Sequence, residues 1–232
     1  MTRVLPILST TWETSTNSWG RLKQTYKESI QITRRRGADV GPGDDDNWDS
    51  TLASSLSALG SILLQQGLSK EGRLLCEEAL VIFRRVHGDK DGTVTGVLHT
   101  IAKMHCVQGQ FKKALKIHHS NLEGRRRRLG KDHNDVAWSL VGIGSVNAKQ
   151  GQHDKALVRY DEALGILRRL GTNHPDVAAV LCKSACSQVE MGDKQGALDA
   201  VREAQRIYTK HRMSQGKLQK VAVLIRWIEV AV

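Results

Sequence analysis

Four glycines, Gly67, Gly109, Gly151 and Gly192, punctuate the chain at intervals of 42, 42 and 41 residues. A fixed internal period constrains a chain to repeat one small supersecondary unit, each copy burying its face against the next, rather than to build a central globule. A second series, Gly88, Gly130 and Gly171, runs half a period away at intervals of 42 and 41. Each repeat is therefore a pair of elements, and each element ends in a glycine of the kind that closes helices. Gly60, Ala102, Gly144 and Ala185 stand seven residues before the first series, and Gly72, Ala114, Ala156 and Ala197 stand five after it. Small residues at fixed phase predict two helices in close contact. Leu56, Leu98, Leu140 and Leu181, each four before the upstream small residue, add helical rather than strand periodicity.

The linkers agree with this reading. Gly88-Asp-Lys-Asp, Gly130-Lys-Asp-His and Gly171-Thr-Asn-His-Pro-Asp supply a C-terminal Gly and then Asp or Asn as caps for the next helix, with Pro175 where a first-turn proline is tolerated. Arg84-Arg85, Arg125 to Arg128 and Arg168-Arg169 fall in last turns, where the helix dipole favours cations. The organisation expected is a segment 1–37 holding a degenerate half repeat, a flexible Gly/Asp-rich loop 38–48, four repeats over 49–211 and a capping helix over 212–232. The half repeat rests on the match of Tyr26, Glu28, Ile32, Arg34, Arg35 and Gly37 to Tyr160, Glu162, Ile166, Arg168, Arg169 and Gly171. The final helix carries Val221, Leu224, Ile225, Ile228 and Val232 along one stripe, yet Val223, Trp227 and Val230 make its other side apolar too, which points to continuation of the array, self-association or a well-buried terminal helix.

The pieces Gln108 to Leu115 and Gln150 to Leu157 (Q-G-Q-x-x-K-A-L), with the linker L-G-x-x-H-P-D at Leu170 to Asp176 and its variant at Leu129 to Asp135, recur in phase. Over residues 49–211 the sequence resembles the tetratricopeptide repeats of the kinesin light chain family. The period also lies within HEAT-type lengths, but the Gly-x-x-x-x-Ala turn favours the tetratricopeptide type. The resemblance implies an all-α fold, a right-handed α-solenoid of helix hairpins whose concave wall, lined by first helices, binds protein or peptide ligands, often acidic ones. It implies less directly a kinesin heavy chain as partner, since no sustained heptads precede Gly37. The paired asparagines common in family grooves are replaced by Ser57-Ala58, His99-Thr100, Val141-Gly142 and Cys182-Lys183.

Helical phase places His99 with Lys103, Val141 with Ser145, and Cys182 with Cys186 on the groove face, with Trp138 and Lys183 beside it. Lys103 and Lys183 can attract a carboxylate and Trp138 can offer a flat anchor; ordinary exposed or half-buried side chains are the plainer reading. Cys182 and Cys186 are too few for a soft four-coordinate metal, so no metal site is expected. His118-His119 read as packing or solvent-facing, and His133 and His174 as capping or packing residues of the linkers. Arg125, Arg126, Arg127 and Arg128 form the strongest basic run, and with a net charge of +11 they support a polyanion alternative. No aromatics interleave with the run, as stacking on single strands requires, which disfavours nucleic acid. No hydrolase, P-loop or zincin motif occurs, so neither an enzyme nor a cofactor is expected. The four cysteines form no framework and the most apolar stretch is too short and too charged to span a bilayer, which points to the cytoplasm and away from a membrane.

Overall fold

The structure, a computed structural model, describes the backbone of residues 12–40, 46–89, 91–171 and 174–230, and the side chains of 20–35, 47–89, 91–169, 171 and 174–230. The described residues form ten α-helices and no strand. They are α1 (Trp12–Val40), α2 (Asp46–Gln65), α3 (Ser69–His87), α4 (Gly92–Val107), α5 (Phe111–Leu129), α6 (Asn134–Lys149), α7 (His153–Leu170), α8 (Pro175–Glu190), α9 (Lys194–Lys210) and α10 (Gln215–Val230). The chain divides into two compact units, one up to Gln108 and one from Gly109. Within each, every helix packs on its neighbour in sequence; α2 also meets α4, and α6 meets α8. That alternation is the contact pattern of stacked hairpins.

The sequence glycines explain the bends. Gly67, Gly109, Gly151 and Gly192 all take left-handed φ, between +72° and +84°, a region closed to most side chains. At Gly67, Leu68 N donates to Leu63 O at 2.8 Å and Gly67 N to Leu64 O at 3.1 Å; Gln152 with Asn147 and Asp193 with Gln188 repeat the six-to-one bond, both at 2.9 Å. These paired bonds satisfy the carbonyls that a helix end leaves over. The same left-handed turn after α9 falls on Arg212, at φ 48°, with Met213 N donating to Tyr208 O at 3.0 Å.

Of the Asp or Asn caps expected from the linkers only Asp91, before α4, is observed; at α6 and α8 imidazoles take the role instead. Asp91 accepts from Thr93 N at 2.7 Å and from Thr93 Oγ1 at 2.6 Å, and these bonds hold its carboxyl below the usual carboxylate range. His133 Nδ1 accepts from Asp135 N at 3.1 Å, and His174 Nδ1 from Asp176 N at 3.2 Å. We expect His174→Ala to lower stability by about 1 kcal/mol and His174→Asn to restore most of it, as N-cap exchanges do; thermal melts of the two variants check this.

Two expectations for the N-terminal region change. Gly37 does not end its helix: α1 runs on to Val40, and the next strong breakers in the sequence are Gly41 and Pro42. The first helix of the repeats begins at Asp46, so residues 38–40 and 46–48 of the expected 38–48 loop are helical, and 41–45 lie outside the described residues.

Candidate functional site

In the second unit, the first helices α6 and α8 lie against each other and share a polar seam. Trp138 on α6, half-buried, donates from Nε1 to Asp176 Oδ2 on α8 at 3.3 Å. Two turns along, Lys183 Nζ donates to Ser145 Oγ at 3.5 Å, and Tyr160 Oη lies 3.4 Å behind the same hydroxyl. Lys183 and Cys186 are exposed and Cys182 is half-buried. Trp138, Ser145 and Lys183 thus lie along one seam, offering an indole plane at one end and an ammonium at the other. Asp176 and Tyr160, which fix that geometry, were not singled out as site residues by the sequence, where Asp176 stands only as the end of a linker motif and Tyr160 only as the counterpart of Tyr26.

Val141 departs from expectation. It is 3% exposed and belongs to the core of the second unit, because α6 is covered by α5, α7 and α8 together. A wheel drawn for one helix cannot count three neighbours. In the first unit, His99 is half-buried and Lys103 exposed, four residues apart on α4 and so on one helix face. A separate cleft of about 460 Å³ in that unit is lined by the hydroxyl-bearing residues Tyr26, Ser50, Thr51, Ser54 and Ser55, with Ala58.

The basic run also changes character. Arg125 is 8% exposed, and its Nη1 donates to Asp135 O at 3.1 Å and to Ser139 Oγ at 2.9 Å, tying α5 to α6. Burial lowers its pKa from the usual guanidinium value. It therefore belongs to the interior, and the exposed run is Arg126, Arg127 and Arg128. Arg126 pairs with Glu162 at 3.8 Å, and Arg169 with Asp132.

Of the histidines, His118 is 1% exposed beneath α6, and a Cβ on Gly142 would stand 2.6 Å from its ring. Burial pushes the Cys182 thiol up to about 11, keeping it protonated. Among the described residues no group of three or more His, Cys, Asp or Glu could hold a metal, and no helix is long and apolar enough to cross a membrane.

Models of the tetratricopeptide repeat match residues 52–91, 93–169 and 135–210, and the chain belongs to that family. Tetratricopeptide folds are typically non-enzymatic scaffolds for protein–protein interaction. The fold is similar to that of BtubC (BKLC) from P. vanneervenii, with a TM-score of 0.71 at 19% identity over 92% of this chain and 84% of that one. A Podosopora anserina array of nearly identical TPR-like repeats, named for kinesin light chain, covers 87% of this chain and 97% of its own at TM-score 0.58 and 16% identity. A Rap protein complexed with competence and sporulation factor gives 0.66 at 12% identity, over 89% of this chain and 60% of that one. In sequence, the human clustered mitochondria protein homolog is 27% identical over 120 residues, and the zebrafish homolog 28% over 120. That match takes in 51% of this chain but only 9% of either relative's length.

Proposed function

We propose that the chain is a non-enzymatic scaffold that holds peptide segments of partner proteins on the faces of its first helices. The observation that supports it is the α6–α8 seam, where Asp176 fixes the Trp138 indole and Ser145 steadies the Lys183 ammonium. An apolar side chain laid on the indole and a carboxylate placed near Lys183 would be met by groups already in position. Lys103 beside His99 offers the first unit a similar cation, so the peptides favoured are acidic ones carrying a large apolar residue. The kinesin light chain resemblance supports the finer reading of a cargo adaptor, for which a kinesin heavy chain would be the motor partner.

Selection of a random peptide library on the purified chain tests this. The expected outcome is enrichment of sequences pairing an acidic residue with an aromatic or aliphatic one, and loss of about tenfold or more in affinity for them in Trp138→Ala and Lys183→Glu. Peptides without acidic residues, or affinities unchanged in both variants, would overturn it. The second reading, polyanion binding through Arg126, Arg127 and Arg128, draws on their exposure at the end of α5. It requires salt-steep retention on RNA or heparin that disappears when those three are neutralised.

A further inference from the structure

The terminal helix α10 is apolar on two opposite sides. Val221 and Ile228 are buried, and Leu218, Leu224, Ile225 and Trp227 pack with them on the core of the second unit. Val223, Arg226 and Val230 follow at i, i+3 and i+7, which at 3.6 residues per turn puts them on a single face turned away from Val221 and Ile228, with Trp227, packed in part on the core, at its edge. On that face Val230 is 80% exposed, Val223 is 40% exposed, Arg226 is exposed and Trp227 is half-buried. The face thus offers two exposed valines and an arginine, with the edge of a tryptophan beside them, and arginine and tryptophan are enriched at protein interfaces.

We propose that this face pairs two copies of the chain, α10 against α10, in an antiparallel two-fold contact. The face is complementary to itself in that arrangement. With the axis between Arg226 and Trp227, Val223 comes level with Val230 of the second copy, and Val230 with its Val223. The edges of the two Trp227 rings that the core leaves uncovered meet on one flank of the valine row. On the other flank Arg226 comes within one turn of the second copy's Glu229, giving two ion pairs across the axis. Antiparallel dipoles add to the preference. A contact of this kind is closed, so it yields dimers and not filaments. Two turns of helix bury little area, and the affinity belongs with weak, reversible dimers. The proposal is independent of the peptide reading, because none of its residues lies on α4, α6 or α8.

Sedimentation of the full 232-residue chain over a range of concentrations tests it. The expected result is a concentration-dependent monomer–dimer equilibrium. Val223→Glu and Val230→Lys should each weaken it by about tenfold or more, since each sets a charge against a valine. The double variant should return to within about threefold of the original, because each new carboxylate then faces a new ammonium. Exposed positions on a helix tolerate these changes, and unchanged circular dichroism verifies that each variant is folded. A chain that stays monomeric throughout, as it would if this face receives a different helix, overturns the proposal. So do single variants that dimerise like the original, or a double variant no better than the singles.

Discussion

Replacing Arg125 by alanine is expected to destabilise the second unit by about 3 kcal/mol, while the same change at Arg127 moves stability by less than about 0.5 kcal/mol. The two residues are neighbours in one run of four arginines and differ in what surrounds them. Arg125 crosses from α5 to α6, bonding Asp135 O and Ser139 Oγ, in a site 8% exposed. Truncation removes two charge-assisted bonds, leaves a void along the guanidinium's path and strips Ser139, itself 1% exposed, of its donor. Arg127 lies exposed in the last turn of α5 and adds only a screened interaction with the helix end. Urea unfolding monitored by Trp138 fluorescence, with the other four tryptophans replaced by phenylalanine in every protein compared, reads both changes. Equal effects of the two substitutions would mean that the α5–α6 tie contributes nothing.

Gly60→Ala should lower the stability of the first unit by about 2 kcal/mol although alanine is the better helix former. A Cβ at Gly60 would stand 2.8 Å from Gly72 O and 2.5 Å from Cys76 Sγ, and one at Gly72 would stand 2.7 Å from Gly60 O. The clash is with backbone, so α2 and α3 must separate, and overpacking of this kind costs up to about 3 kcal/mol. The intrinsic gain from glycine to alanine returns about 1 kcal/mol. Gly96, on α4 of the same unit, has nothing within 4 Å of the corresponding position. Gly96→Ala keeps the gain without the clash and should raise stability by up to about 1 kcal/mol. Opposite signs for the two variants in thermal or denaturant unfolding are the expected signature, and a stabilising Gly60→Ala would refute the close approach of α2 and α3.

The hairpins were legible because their determinants are local. A left-handed bend strongly favours glycine, so Gly67, Gly109, Gly151 and Gly192 announce it in the sequence and take it in the structure. The small-residue series reads equally well, since Gly144 meets the Tyr160 ring as Gly60 meets Gly72. Arg212 bends the chain after α9 in the same left-handed manner without a glycine to mark it. What the sequence could not carry was the number of neighbours around a side chain. Val141 and Ser145 share a helical phase, yet the first is sealed in the core and the second stays half-buried on the seam. Ser139 lies 14 residues from Arg125, and Asp176 lies 38 from Trp138. Such pairs become visible only when hairpins are stacked, because the repeat period sets their distance in space and leaves no local pattern.

The Trp138–Asp176 bond also bears on the energetics of recognition. An indole already tethered across two helices has surrendered its rotational freedom during folding, so a molecule docking on it forfeits little further entropy. The ring's one donor is spent on Asp176, leaving its flat faces as what it can offer. Any visitor to that plane is therefore judged by shape and dispersion, and it must carry its own hydrogen-bonding groups to Lys183 or beyond.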